Sequence, residues 1–391
     1  MGVEIMNRVF KKASKFLLAL ALMTSLFACD KDTTTTKKQT TTKSNVVTTQ
    51  KKTTKKATTA STTRRTTTAQ TTTTSTNNQV VKHTIKFVNY DNTELYTTEV
   101  NEGETPVYGG AKPVKQANLG YTCTFNGWDS DITAATGDKT YVAQYREYLD
   151  PDMNCYIFES TPTTCKIKGV LQDNLDDNVF IIPEYVTEIS NDAFNNCGNM
   201  FRIVLYFIGD KRHERTDEKQ FPFAYIFGKE SFTIGNAAQI YQTYIGTDHI
   251  VSEEPFLMPI PLTTIQLYGG EYLPYGAFSG CNGVTEITLV NFLDYTDSIK
   301  MIETYAFKNC GDLKKVVLGK ELEEIKENAF YGCTKLEEVY YAGSETDWNS
   351  VSIQTAGNGA LSSATMYFYS EEEPTTPGNY WHYYNHAVKK W

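Results

Sequence analysis

The 391-residue chain has a formal net charge of −9 and is 40% hydrophobic and 13% aromatic, enough apolar material for two domains with appendages. The charge is uneven: residues 1–79 hold 14 Lys and Arg against 3 Asp and Glu, a net of +11, which leaves −20 on residues 80–391. So acidic a body argues against a nucleic-acid partner, which needs a basic footprint. The eight cysteines form no C-x-x-C pair and no Cys/His cluster, so no zinc site or thioredoxin-like motif is written.

Residues 1–28 read as an export signal. Arg8, Lys11, Lys12 and Lys15 make a positive region, and Phe16 to Ala28 is an apolar run too short to span a membrane as a stable helix. The run ends Leu26-Phe27-Ala28-Cys29, which resembles the bacterial lipobox. That resemblance implies cleavage behind Ala28 and lipid on Cys29, placing the chain on the extracellular face of a cell membrane. The alternative is an ordinary cleaved signal with an incidental cysteine.

Residues 29–79 form a tether, and from residue 31 about half are Thr, with Lys and Arg pairs and no apolar periodicity. Such a composition cannot bury enough surface to offset its conformational entropy, so disorder is expected. Like charges extend it, and basic residues beside a lipid anchor attract an anionic membrane surface.

Residues 80–148 read as a small β module. Ile85 and Phe87 alternate, as do Tyr121, Cys123 and Phe125, then Tyr141, Ala143 and Tyr145, with turn signals at Asp91-Asn92, Asn101-Glu102-Gly103 and Thr136-Gly137-Asp138. Thr84-Ile85-Lys86-Phe87, Gly120-Tyr121, Phe125-Asn126-Gly127-Trp128 and Tyr141-Val142-Ala143-Gln144-Tyr145 resemble the internalin-type B repeat. The resemblance implies a β-grasp-like spacer or adhesive module. Trp128 is most simply a core residue.

From residue 150 to 391 a solenoid is expected. Cys155 to Phe158 and Cys165 to Lys168 read as a hairpin capping the first coil; the two cysteines either cross-link it or stay as thiols. One pattern then recurs four times at seven fixed offsets. Its copies are Ile189, Ala193-Phe194, Cys197, Met200, Ile203, Leu205; Leu273, Ala277-Phe278, Cys281, Val284, Ile287, Leu289; Ile302, Ala306-Phe307, Cys310, Leu313, Val316, Leu318; and Ile325, Ala329-Phe330, Cys333, Leu336, Val339, Tyr341. The tail alternates as a strand does and the head has helix-like spacing, so each unit must stack on its neighbours to bury its apolar edge. The 23-residue step from Cys310 to Cys333 belongs to leucine-rich solenoids.

The period breaks at about 206–261, an insert whose aromatic stretch Phe221 to Gly228 reads as a clamp on the side of the stack rather than a lid. Leu262, Ile265 and Leu267 then restore a repeat whose head is missing or disguised. Trp348, Ile353 and Met366 to Tyr369 suggest a last degenerate coil, with Tyr380-Trp381-His382 as a C-terminal cap. The Ala-Phe-x-x-Cys signature resembles the BspA-type leucine-rich repeat of bacterial surface proteins. This implies a mainly β fold with short helical turns, a parallel strand ladder, and recognition of an extracellular or host surface protein without catalysis. Cell-wall or mucin glycans, or an envelope scaffold role, are the alternative.

The residues themselves offer no chemistry. His382 and His386 lack the Glu of a metalloprotease motif, and there is no Gly-x-Ser-x-Gly elbow or phosphate loop. No carboxylate pair stands out, so neither cofactor nor metal is expected. Strand periodicity points instead to a ligand face. If Val316 and Leu318 face inward, the opposite face presents Tyr206, Tyr268, Val317 and Tyr340 as an apolar and aromatic strip, beside a charge row of Glu286, Lys315 and Glu338. Tyr is also a good strand former, so the strip has a structural reading beside the functional one.

Overall fold

A computed structural model describes residues 80–171, 178–212, 221–230, 235–245, 250–291, 299–385 and 387–391. The export signal, Cys29, the tether, residues 172–177 and His386 lie outside the described residues.

The first unit is a four-stranded mixed sheet of β1 (Lys82–Val88), β2 (Glu94–Asn101), β3 (Tyr121–Trp128) and β4 (Lys139–Leu149), in the order β2-β1-β4-β3. Parallel β1 and β4 lie at its centre, where Phe87 stacks on Tyr141 at 5.2 Å between ring centroids and meets Trp128 at 4.8 Å. Trp128 is half-buried against Phe87, Tyr108 and Phe125, the core role its position predicted. Strand β2 was not foreseen, because Glu94 to Asn101 alternates only weakly. Its partner β1 pairs with it throughout, from Lys82 opposite Asn101 to Val88 opposite Glu94.

A hairpin of β5 (Tyr156–Ser160) and β6 (Cys165–Val170) opens the solenoid, as expected. Its register decides the cysteine question. Ser160 lies opposite Cys165, whereas Cys155 sits at the other end beside Leu171, so the two sulfurs are a whole strand apart and no disulfide joins them.

Then come β7 (Val179–Ile181), β8 (Glu188–Ile189), β9 (Arg202–Leu205), β10 (Ala237–Ile245), β11 (Val251–Pro259), β12 (Thr264–Leu267), β13 (Tyr272–Leu273), β14 (Glu286–Thr288), β15 (Met301–Ile302), β16 (Lys315–Leu318), β17 (Glu324–Ile325) and β18 (Glu338–Tyr341). A one-turn helix α1 (Glu345–Trp348), β19 (Ser352–Ile353), helix α2 (Gly359–Ser363), β20 (Thr365–Tyr369), β21 (Tyr380–Tyr384) and β22 (Ala387–Lys390) complete the chain. Tail strands β7, β9, β12, β14, β16, β18 and β20 form one parallel ladder, and the two-residue strands β13, β15, β17 and β19 form a second along another side.

Between the two ladders each coil turns at Ala-Phe. The residue before Ala has positive φ in every copy: Asp192 64°, Gly276 64°, Tyr305 61° and Asn328 55°. The turns are joined along the stack by main-chain hydrogen bonds, Phe278 N–H to Ala306 O (2.7 Å) and Phe307 N–H to Ala329 O (2.8 Å). Their rings make a continuous spine, with Phe278, Phe307 and Phe330 stacked at 5.8 and 4.7 Å. All three are wholly buried with the Leu, Ile, Val and Cys of the other repeat positions.

The break between repeats differs from expectation. Residues 221–228 are not a clamp but the disguised head itself. A single 3₁₀ turn at Phe223–Ile226 bridges the spine, with Phe223 5.5 Å from Phe278 and Phe227 6.3 Å from Phe194. Phe194 N–H donates to Ile226 O and Phe223 N–H to Ala277 O, so Ile226-Phe227 takes the place of Ala-Phe. The true insert is the hairpin β10–β11, whose Gln242 is wholly buried. Its amide accepts from Ala224 N–H (2.6 Å) and donates to Ser279 O (2.9 Å), adding a side-chain link to the main-chain bond from Phe223 to Ala277. At the other end Asn358 does the same, accepting from Phe330 N–H at 2.9 Å and donating to Lys326 O and Gln354 O.

Candidate functional site

The ladder has two faces, and the side chains separate as period 2 requires. Val316 and Leu318 join the main core, while Val317 and Tyr340 belong to a second cluster with Val290, Ala342 and Trp381. That second cluster corrects the expected ligand strip. Val317 is 0% and Tyr340 2% exposed, because the antiparallel hairpin β21–β22 folds over the outward face. Trp381 Nε1 donates to Tyr341 O at 2.9 Å, and Lys390 reaches Glu338 and the Tyr367 hydroxyl. The hairpin is joined to β20 by only two residue pairs and otherwise rests on side chains. Burial pushes the Tyr340 hydroxyl well above its ordinary pKa, helped by its hydrogen bond to Glu338. The Tyr380-Trp381-His382 segment therefore covers a face as well as closing an end.

The charge row is partly cross-strand, with Lys315 3.0 Å from Glu286, but Glu338 pairs with Lys390 of the hairpin instead. At the other end of the ladder Tyr206 and Tyr268 are half-buried neighbours, their rings T-shaped at 6.0 Å, and Tyr268 N–H donates to Leu205 O. Two of the four expected residues are thus brought together beyond the hairpin's cover, and two lie beneath it.

Beside Tyr206 lies a cleft of about 670 Å³ that sequence reasoning did not find. It exists because the second ladder is interrupted. Residues 210–212 run antiparallel to β8, with Lys211 bridged to Glu188, rather than supplying a parallel strand against β13. In four coils the residue after the short strand donates its N–H to the preceding coil: Ser190 to Ile167 O, Glu303 to Leu273 O, Lys326 to Ile302 O and Gln354 to Ile325 O. At the coil bordering the cleft that position is Pro274, which has no N–H to leave unpaired. Gly269 closes the floor, since a Cβ there would stand 2.4 Å from Tyr206 O. Pro274 and the Gly269-Gly270 pair were the available sequence signals.

Tyr206, Phe207, Ile208, Leu267, Tyr272 and Met301 give the cleft an apolar and aromatic lining. Lys211, Arg212 and Lys300 bring positive charge, Glu271 and Glu323 negative. Arg212 lies over the Tyr206 ring at 5.8 Å and is steadied by the Glu184 carbonyl. No group of three metal-ligating side chains occurs among the described residues, and no described helix is long and apolar enough to cross a membrane.

The repeat cysteines are not a site. Cys310 Sγ donates to Phe278 O at 3.0 Å and Cys333 Sγ to Phe307 O at 3.1 Å, each toward the preceding coil. Burial raises both thiols' pKa, that of Cys333 to about 12.

Residues 173–212 and 251–364 match the BspA type Leucine rich repeat region in 6 copies, and the unmatched stretch between them holds the disguised head and all of β10. Among solved structures, a leucine rich cell surface protein from Faecalibacterium prausnitzii A2-165 is similar at 20% identity and a TM-score of 0.30, over 53% of this chain and 43% of that one. The T. pallidum Leucine Rich Repeat protein is similar at 18% identity and a TM-score of 0.24, over 51% of this chain and 78% of that one. The chain thus spans less than half the length of the Faecalibacterium protein. No curated protein matches it. The two parallel ladders and the phenylalanine spine lie in the same coils that are similar, over residues 173–212 and 251–364, to the BspA type Leucine rich repeat region.

Proposed function

We propose that this is a non-catalytic bacterial surface protein, anchored through lipid on Cys29, whose solenoid head binds an extracellular or host protein. The tether and the B-repeat-like module hold the head away from the membrane. The observation that carries the reading is the half-buried Tyr206–Tyr268 pair on the outward face, since Tyr anchors of this kind dominate protein interfaces. With Val317 and Tyr340 under the C-terminal hairpin, the partner's footprint falls on β9 and β12 and the strands next to them.

The test is adhesion of whole cells to a panel of immobilised matrix proteins, comparing the native chain with a Tyr206→Ser/Tyr268→Ser double variant. Losing two hot spots worth about 2 kcal/mol each lowers affinity more than tenfold, and because the anchors are uncharged, binding depends weakly on salt. Undiminished adhesion by a folded double variant removes the site from this face. Separately, Cys29→Ala is expected to move the protein from the membrane fraction into the medium, and unchanged membrane retention refutes the anchor.

A further inference from the structure

The cleft beside Tyr206 has a composition that protein anchoring does not explain. We propose that it is a binding site for a carboxylate-bearing sugar. Three observations converge. First, residues 80–391 carry a net charge of −20, yet Lys211, Arg212 and Lys300 are gathered around this one cleft. Second, Lys300 makes no ion pair among the described residues, although Glu271 and Glu323 line the same cleft. One coil on, Lys326 closes on Glu324 at 2.6 Å, and Lys335 closes on Asp312 at 2.6 Å. Third, Tyr206 and Tyr272 present aromatic surface inside a volume within the range of small-ligand pockets.

Each part matches one element of an acidic saccharide. A sugar carboxylate takes charge-assisted hydrogen bonds from Lys and Arg. Its hydroxyls donate to carboxylates such as Glu271 and Glu323, and its apolar ring face lies on tyrosine. Arg212 is already oriented, its guanidinium over Tyr206 and bonded to the Glu184 carbonyl, so little ordering remains to be done on binding. A neutral sugar leaves Lys300 unanswered, and a simple anion leaves the aromatic lining empty.

The test is saturation-transfer NMR and calorimetry on the full chain with three probes: sialyllactose, digalacturonate and neutral lactose. Binding of either acidic sugar with lactose silent is expected, and which acid binds names the source of the carboxylate. Lys300→Glu is expected to weaken that binding at least tenfold, while Lys335→Glu, the same charge change away from the cleft, leaves it unchanged. The proposal fails if neither acidic sugar binds, if lactose binds equally, if Lys300→Glu is without effect, or if Lys335→Glu weakens binding as much. Because it reads sugar binding by the isolated chain, the outcome is separable from adhesion through Tyr206 and Tyr268.

Discussion

Tyr305 occupies a backbone position that its counterparts in the other coils fill with Gly, Asn or Asp. A bulky residue at φ 61° is strained. It is held by the edge of the Tyr275 ring at 5.4 Å and by Lys308 above its own ring at 5.0 Å. Tyr305→Asn is therefore expected to stabilise the head by up to about 1 kcal/mol, read as a higher urea midpoint. Gly276, at the same position one repeat earlier, should respond oppositely. There the main-chain oxygen of Thr243 lies 1.8 Å from where a Cβ would stand, so φ tolerance alone does not help. Gly276→Asn should cost about 1–3 kcal/mol, the scale of overpacking. If both variants shift stability in the same direction, φ and not the approach of β10 governs the position. A third residue-scale expectation concerns thiols. Iodoacetamide under native conditions should spare Cys281, Cys310 and Cys333, which are buried, and modify half-buried Cys123 and Cys155 first. All three should become alkylatable on denaturation without reductant, and a Cys310–Cys333 disulfide found instead would refute the reading.

At the scale of elements, the spine and its two amide splices carry the stack. Phe307→Ala and Phe330→Ala should each cost about 3–5 kcal/mol, because each ring fills a coil and touches the next. Less than about 1 kcal/mol at both, the range of surface changes, would place them outside the core. Asn358→Ala should cost about 2–4 kcal/mol, since one buried and two part-buried main-chain groups lose their partner together. A neutral result would mean that water replaces the amide. These two predictions also mark what was legible in the sequence. Phe307 and Phe330 were visible because every coil repeats the same demand at the same offset. Phe227 was missed because Ile226 stands where Ala is expected, and Asn358 because it acts through long-range main-chain contacts that leave no period. The fate of Val317 and Tyr340 was hidden for a related reason. Alternation assigns a residue to a face, but whether a distant segment covers that face is settled by Trp381, which lies 40 or more residues further along the chain.

For the molecule as a whole, the C-terminal hairpin decides how much of the outward face a partner meets. Trp381→Ala should cost about 3–5 kcal/mol, for the lost ring and for exposing Val317 and Tyr340, with hydrogen exchange rising first in β16 and β18. Protection unchanged in those strands would show that the hairpin is dispensable there.

The amides of Gln242 and Asn358 have a consequence for how long such a head is able to become. Where one turn binds the next through main chain alone, as between Phe278 and Ala306 or Phe307 and Ala329, the joint is indifferent to side-chain identity. A duplicated 23-residue block entering there would find the same donors and acceptors on both sides. At Gln242 and Asn358 a side chain of one length adds to the main-chain bonds Phe223 N–H to Ala277 O and Asn328 N–H to Ala356 O, and a block inserted there would leave an amide facing the wrong groups. The hairpin adds a third fixture, because its cover is cut to the strands from Val290 to Tyr367. Growth by simple duplication is thus confined to the interior joints, and it is opposed there by the hairpin's fixed reach. The number of coils is set by two amides and a tryptophan, not left to the repeat.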